Sequence, residues 1–159
     1  QDDGGGGGGA GDIVLTEADI QNLIRAKAAI YAGFSVLTES VGLSVNDVER
    51  IVIGGAFGKY IDVDKAVAIG LLPDMPWERF EYLGNTSIQG AYRALTCREC
   101  RAAITQIGNM MTYLELSADN RFMEQFTSAL FLPHTDLSRF PSVEQELKRL
   151  AALPGFGGE

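Results

Sequence analysis

The sequence is poor in the residues and patterns that mark several large classes of protein. Its 159 residues include two cysteines and one histidine, which is too few for a disulfide framework or for a set of zinc or iron–sulfur ligands. No apolar run approaches the roughly 20 residues that a membrane-spanning helix needs. No basic start precedes an apolar stretch, so we expect no signal peptide and a cytoplasmic protein without membrane contact.

Positive charge is also scarce. Thirteen Lys and Arg residues stand against 21 Asp and Glu residues, for a formal net charge of -8. A nucleic-acid partner is therefore not expected, because phosphate binding needs clustered basic side chains. The length suits one domain. The glycine run at Gly4–Gly9 predicts that residues 1–12 are a flexible linker or loop. The glycine-rich segment from Pro154 onward predicts a flexible tail at 154–159, and residues 13–153 are expected to form the domain.

Apolar periodicity and capping residues predict an α/β fold with the element order αβαβαβαα. Good N-cap residues precede several of the helices, and β-branched or aromatic runs form the strands. The predicted elements are a helix from Thr16 to near Gly42, a strand at 50–53, a helix at 63–71, a strand at 80–83, a long helix at 87–110, a strand at 111–116, a helix at 120–131 and a helix at 142–153 with Ser142 as its N-cap.

Two of these strands end in a glycine turn before a helix. The turns are Ile53-Gly54-Gly55 and Leu83-Gly84-Asn85. In open α/β sheets, ligands sit beyond the carboxyl ends of the strands, where a glycine lets the backbone approach them. Such turns are typical of nucleotide sites, but they are also common as plain tight turns. If the two strands are neighbours, both turns face one crevice.

Other reactive side chains do not form a catalytic set. Cys97 and Cys100 form a C-x-x-C motif, but within a continuous helix they are expected to be small core or surface residues, because redox dithiols usually lie at a helix N-terminus. His134 has no partner nucleophile, and it is either a surface contact or a core residue satisfied by Asp136. We therefore predict no catalytic residue and no metal ligand.

Five segments, in this order, resemble the C-terminal region of the reductive activators of corrinoid proteins. These are the ATP-dependent activators of the corrinoid iron–sulfur protein and of corrinoid methyltransferases in anaerobes. The resemblance runs from about residue 13 to residue 145. Its segments are Leu15–Ile30, Gly54–Tyr60, Ala68–Pro73, Tyr82–Ser87 and Phe131–Asp136.

The resemblance implies a fold and a set of contacts. The fold is an actin-like (ribonuclease H-like) lobe, part of an ATPase domain of the acetate and sugar kinase/Hsp70/actin type, with helices layered on a small sheet. The adenosine motif of that lobe maps onto Gly54, Gly55, Ala56 and Phe57. A second turn, Gly84-Asn85, maps onto the lining of the nucleotide cleft.

The resemblance also implies a function. ATP with Mg²⁺ would be bound by the parent protein, and a [2Fe–2S] cluster would lie in a separate N-terminal domain, with none in this chain. The activator would use ATP to return a Co(II) corrinoid protein to the Co(I) state, so its partner is a corrinoid iron–sulfur protein or a corrinoid methyltransferase component.

Two other interpretations stay open. In the first, the segment from Phe131 to Val143 and the long helix after Gly84 form an interaction module, which docks the corrinoid protein or a second copy of the activator as a homodimer. In the second, the chain is a lobe of another actin-like kinase or ATPase, such as a sugar kinase.

Overall fold

A computed structural model describes residues 14–55 and 57–153 of the chain. Over these ranges the chain forms six α-helices, a two-stranded parallel sheet and short 3-10 turns. The elements are α1 (Glu17–Ser40), β1 (Ile51–Gly54), α2 (Val63–Ala68), β2 (Phe80–Gly84), α3 (Thr86–Thr96), α4 (Arg98–Met110), α5 (Asn120–Ser128) and α6 (Pro141–Ala151). The predicted linker and tail and the predicted site residue Ala56 lie outside the described residues.

Helix α1 begins where the sequence predicts. Thr16 is its N-cap, and the backbone N–H of Asp19 donates to the Thr16 hydroxyl at 3.2 Å. The Asp19 carboxylate in turn accepts from the backbone N–H of Thr16 at 2.9 Å, which completes a capping box. The hydrogen bonds from Thr16, that of its hydroxyl above all, lower the pKa of the Asp19 carboxyl. The helix ends just before Gly42, which takes a positive φ of 74°.

The two strands lie side by side and run in the same direction. Ile51 pairs with Phe80 and Ile53 pairs with Tyr82. Helix α2 lies in the connection between the strands, as parallel strands require, because they cannot be joined by a tight hairpin. The predicted α/β class with a small sheet is therefore confirmed.

The core lies between the helices and one side of the sheet. It brings together side chains from α1, α2, β2 and the segments that follow α5, and partly buried residues of β1 pack against it. Its buried apolar members are Ala28, Tyr31, Ala66, Val67, Leu72, Phe80, Ala129 and Phe140. Within the described ranges, no helix is long and apolar enough to cross a membrane.

One charged side chain is buried in this region and ties the segment after α5 to α1. Lys27 is fully buried, and its ammonium donates to the backbone carbonyls of Phe131 and Pro133, the latter at 2.8 Å. Burial lowers the pKa of Lys27 to about 8. His134 is also buried, and its Nδ1 accepts from the backbone N–H of Asp136 at 2.9 Å. His134 is therefore a core residue.

Three local predictions are wrong. The helix predicted at 87–110 is two helices, because Cys97 takes an extended backbone conformation between α3 and α4. The strand predicted at 111–116 does not form. Met111 and Tyr113 are exposed there, with no neighbouring strand in the described part of the chain to pair with.

The start of the last helix also differs from the prediction. Phe140, not Ser142, occupies the N-cap position, and Pro141 is the first helical residue, a place that proline favours. The backbone N–H and the hydroxyl of Ser142 donate to Asp74 at 2.7 and 2.8 Å. The Asp74 carboxylate, from a loop distant in sequence, therefore accepts a hydrogen bond from a free backbone N–H in the first turn of α6.

Candidate functional site

The two glycine turns meet at the carboxyl edge of the sheet. Gly54 is opposite Gly84 in the register, and the pairing shifts by one residue between Ile53 and Gly54. The backbone N–H of Gly55 donates to the Gly84 carbonyl at 2.6 Å. The strands are thus neighbours, as the shared crevice requires, and four of the six predicted site residues (Gly54, Gly55, Gly84 and Asn85) lie together.

Two of these glycines need to be glycines because of their backbone conformation. Gly55 has a φ of 98° and Gly84 has a φ of 65°. Residues with a Cβ rarely adopt this region, at a cost of about 1–2 kcal/mol. At both positions a Cβ would meet no atom of the described residues within 4 Å. The backbone at these turns therefore faces open space that another molecule can enter.

Gly54 is a glycine for a different reason. A Cβ at Gly54 would lie 2.9 Å from Oγ1 and 3.3 Å from Cγ2 of Thr86, the first residue of α3. The end of β1 therefore packs directly against the start of α3. Sequence reasoning did not include Thr86 in the site, and nothing in the local pattern singles it out, because this contact joins residues far apart in the chain.

Asn85 has a defined structural role as the N-cap of α3. Its side-chain oxygen accepts from the backbone N–H of Ile88 at 3.0 Å. Gln89 donates from its amide to the Leu83 carbonyl at 2.9 Å, which holds the end of β2 to the same helix. The first turn of α3 thus begins directly at the glycine edge, with the positive end of its dipole there.

The remaining predicted residue that the structure describes is Phe57. It begins a 3-10 turn, Phe57–Tyr60, directly after the glycine pair. Within this turn, a Cβ at Gly58 would lie 2.8 Å from Cγ2 of Ile53 and would clash with it. The turn therefore folds back onto β1, close to the glycine edge.

The concave surfaces of the molecule are open. A mostly apolar groove of about 330 Å³ reaches Gly54 from the side of α1 and is lined by Ile30, Phe34, Ile51 and Leu71 among others. Another depression, of about 610 Å³, lies elsewhere, between α2, Trp77 and the start of α6. The glycine edge is therefore one wall of a site and does not enclose a ligand by itself.

The described residues hold no group of three or more His, Cys, Asp or Glu side chains that fits a metal ion. Cys97 and Cys100, the two cysteines of the chain, are joined in a disulfide. They offer no thiolate set for an iron–sulfur cluster, which needs about four ligands. His134 lies in the core and has no nucleophile as a partner. The described part of the chain thus shows an open backbone edge and no catalytic side-chain set.

Comparison with known proteins gives consistent matches. A family model described as the C-terminal domain of RACo, the ASKHA domain, matches residues 5–144. Corrinoid activation enzyme RamQ of Eubacterium limosum is 40% identical over 115 residues, which are 72% of this chain and 19% of that protein. A solved structure of a reductive activator for corrinoid, iron–sulfur protein is 52% identical, covers 81% of this chain and 20% of its own, and superposes with a TM-score of 0.77.

The chain spans about one fifth of the length of each of these two relatives. The family model, by contrast, covers most of the chain, and its actin-like fold class agrees with the parallel strands and layered helices described above. The matches agree with the resemblance carried by the five sequence segments. The chain therefore belongs to the family of the C-terminal ASKHA domain of RACo.

Proposed function

We propose that this chain is the nucleotide-binding, adenosine-side lobe of an ATP-dependent activator that returns Co(II) corrinoid proteins to the Co(I) state. The observation that carries the proposal is the meeting of the two glycine turns at the carboxyl edge of the sheet. Gly55 donates to the Gly84 carbonyl, and both residues face open space. The names of the two relatives, a corrinoid activation enzyme and a reductive activator, supply the class of partner.

The glycine edge suits the adenosine end of a nucleotide for physical reasons. Residues without a Cβ let a flat base and a ribose approach the backbone to van der Waals distance. The apolar groove that reaches Gly54 offers a surface for the base. The start of α3 adds the positive end of a helix dipole, which favours the negative charge of phosphates.

The same geometry assigns a limited role to this lobe. Its edge is formed by glycines and the Asn85 amide, and the described residues hold no group of three or more potential metal ligands. We therefore assign binding and orientation of the nucleotide to Gly54, Gly55 and Gly84, with Asn85 fixing the start of α3. Ala56 and Phe57 remain part of the proposed contact. A Mg²⁺ ion bound with the nucleotide would neutralise phosphate charge.

Reduction of Co(II) corrinoid is uphill, so an activator must couple it to a favourable process. A nucleotide shifts a conformational equilibrium only by its difference in affinity for the two states. If this lobe binds the adenosine end and a facing lobe holds the phosphates, ATP binds the closed state more tightly than the open state. This is the required difference in affinity. We accordingly propose that this chain forms one wall of a cleft that closes on ATP.

A pair of matched glycine variants tests the binding site. Gly55 and Gly42 both have a positive φ, and neither has an atom within 4 Å of the position of a Cβ. Valine at either place therefore imposes a similar backbone strain, but Gly42 lies at the end of α1. We expect Gly55→Val to weaken ATP binding at least tenfold, about 1.4 kcal/mol, and Gly42→Val to leave it unchanged, as measured by calorimetric titration of ATP.

Equal affinities for the two variants would refute the site. The coupled activity is tested in the full-length activator with ATP, a reductant and a Co(II) corrinoid protein, by following the visible absorbance of Co(I). ATP-dependent Co(I) that is lost with Gly55→Val supports the proposal. Tight ATP binding without Co(I) from any corrinoid partner would leave another actin-like kinase or ATPase as the function.

A second candidate role is docking of the corrinoid protein through the α3–α4 pair. Both helices contain no buried residue, and they expose large apolar side chains: Ile88 at 65%, Tyr92 at 66%, Leu95 at 79%, Ile107 at 60% and Met110 at 74%. Serine at Leu95 and Ile107 should weaken binding of the corrinoid protein in sedimentation experiments. Unchanged binding would exclude this face as the surface that docks the corrinoid protein. Variants that lose only their self-association and still bind the corrinoid protein would exclude it as well.

The segment that follows α5 belongs to the same candidate role. Asp136 and Arg139 lie at its surface and face each other at 3.7 Å. A charge reversal at either residue that leaves the complex with the corrinoid protein unchanged would remove this segment from the docking surface.

A further inference from the structure

The C-x-x-C motif lies at the junction of α3 and α4. Cys97 is the N-cap of α4 and Cys100 is the third residue of that 13-residue helix. The two Cα atoms are 5.2 Å apart and the side chains form a disulfide, a separation within the usual range for such a bond. The break of the helix at Cys97 thus gives the motif a helix N-terminus, which the sequence prediction of one continuous helix did not.

This position favours a negatively charged sulfur at Cys97. The backbone N–H of Cys100 donates to Cys97 Sγ at 3.1 Å. This N–H is one of the four at a helix start that have no partner within the helix, and the helix dipole is positive there. Thiolates at helix N-termini are stabilised for these reasons, and their pKa falls below that of a free cysteine.

Most of the surrounding charged side chains also favour a negatively charged sulfur at Cys97. Arg98 and Arg101 follow the cysteines, and Arg93 lies in the last turn of α3, so three of the chain's 13 basic residues fall within nine positions. Arg101 also donates to the Ala94 carbonyl at 3.0 Å, which covers one free carbonyl at the end of α3. Glu99 opposes them, with a carboxylate oxygen 3.7 Å from Cys97 Sγ. The segment carries a local excess of positive charge on a chain that is acidic overall.

Both cysteines lie near the surface of the described structure. Cys97 and Cys100 are partly exposed, Arg98 and Glu99 between them are exposed, and the helices on either side bury no residue. The chain has no third cysteine. Within the 159 residues, Cys97 and Cys100 are therefore the one pair that can form an intrachain disulfide.

We propose that Cys97 and Cys100 are a reversible dithiol–disulfide couple that reacts with external thiols and disulfides. In the reduced form, the Cys97 thiolate attacks a sulfur of an external disulfide, forms a mixed disulfide and expels one thiolate. The Cys100 thiolate then attacks Cys97 Sγ, which forms the intrachain bond and releases a second external thiolate. Two electrons pass to the external disulfide, and the two protons of the cysteines end on the released thiols. This proposal does not rest on the proposed nucleotide site.

Equilibration of the 159-residue chain with mixtures of reduced and oxidised glutathione tests the couple. Free thiols are trapped with N-ethylmaleimide and counted by mass spectrometry. We expect each chain to carry two adducts or none, in a ratio that is set by the glutathione mixture. The ratio should be the same whether the experiment starts from the reduced or from the oxidised chain. A disulfide that stays closed in excess reduced glutathione, a pair that stays reduced in excess oxidised glutathione, or dimers linked by disulfides would each overturn the proposal.

Single-cysteine variants test the assignment of the attacking sulfur. Cys100→Ser, which retains Cys97, should form the mixed disulfide with glutathione faster than Cys97→Ser, which retains Cys100. In the Cys100→Ser background, glutamine at both Arg98 and Arg101 should slow alkylation of Cys97 by iodoacetamide at pH 7 roughly threefold, because these two cations no longer stabilise the thiolate. Arg25→Gln, remote on α1, is the control. The reverse order of rates, or equal rates in all the arginine variants, would refute the assignment.

Discussion

The contact between Gly54 and Thr86 predicts a specific coupling between the end of β1 and the start of α3. Gly54 has no positive φ, so alanine there meets no backbone strain. Its Cβ would however lie 2.9 Å from Oγ1 and 3.3 Å from Cγ2 of Thr86. Because threonine is stiff at χ1, we expect this overpacking to cost about 1–2 kcal/mol, offset in part by the lower entropy that alanine gives the unfolded chain.

The double variant Gly54→Ala/Thr86→Ala separates the cost of overpacking from the effect of alanine on the unfolded chain. Thr86→Ala removes both clashing atoms and leaves the Thr86 Cβ at 3.7 Å, an ordinary contact distance. In that background, Gly54→Ala should be neutral or should stabilise the chain by up to about 1 kcal/mol. The difference between the two backgrounds gives a coupling energy of about 1–2 kcal/mol, which lies within the range measured for residues in contact.

Urea unfolding followed by circular dichroism measures this cycle from four midpoints and slopes. Gly108→Ala provides the control, because a Cβ at Gly108 meets no atom within 4 Å and the residue lies far away on α4. The change in the free energy of unfolding caused by Gly108→Ala should add to the change caused by Thr86→Ala. Effects of Gly54→Ala that are equal in both backgrounds would refute the packing of the glycine edge against α3.

Three further predictions concern the framework around the site. Gly70→Ala should cost at least about 3 kcal/mol in urea unfolding, because its φ is 75° and its Cβ would lie 2.1 Å from the Pro133 carbonyl oxygen; a smaller loss would contradict this close approach. Asn85→Ala should cost about 1 kcal/mol by removing the cap of the Ile88 N–H, whereas Asn85→Asp should retain it. Burial lowers the pKa of Lys27 from 10.5 to about 8, so between these pH values the folded chain binds fewer protons than the unfolded chain. The free energy of unfolding, relative to Lys27→Met, should therefore rise from about pH 8 to pH 10.5. A pH-independent difference would contradict the buried position of this ammonium.

The elements that the sequence predicts correctly are those with local signals. Helix α1 carries its own capping box at Thr16, and β1 and β2 are short apolar runs that end in glycine. The break at Cys97 has no such signal, because the apolar spacing continues across it and neither glycine nor proline marks it. The alternation after Met111 resembles a strand, but a strand forms only with a partner.

Long-range contacts decided the other differences. Ser142 is a good capping residue by type, but Pro141 begins α6 and places the N-cap at Phe140, two positions earlier. Asp74, 68 residues away, binds Ser142 instead. The burial of Lys27 is unexpected for the same reason, since its acceptors, the carbonyls of Phe131 and Pro133, are more than 100 residues away. Single-sequence patterns do not contain these pairings.

The position of the candidate site was predictable because the site consists mainly of glycine backbone, which the order of strands and helices brings together. A strand, a helix and a second strand in succession favour parallel neighbours, and this arrangement brings Gly54 and Gly84 to one edge. Backbone of this kind distinguishes little between one ATP-using protein and another, because glycines contribute no side chain that reads a substrate. Under the proposed function, other surfaces must recognise the protein to be activated, and the exposed apolar face of α3 and α4 is one such candidate within the described residues. Loss of the nucleotide with Gly55→Val and loss of the corrinoid partner with serine at Leu95 and Ile107 should therefore be separable, and variants that lose both at once would argue for a single shared site.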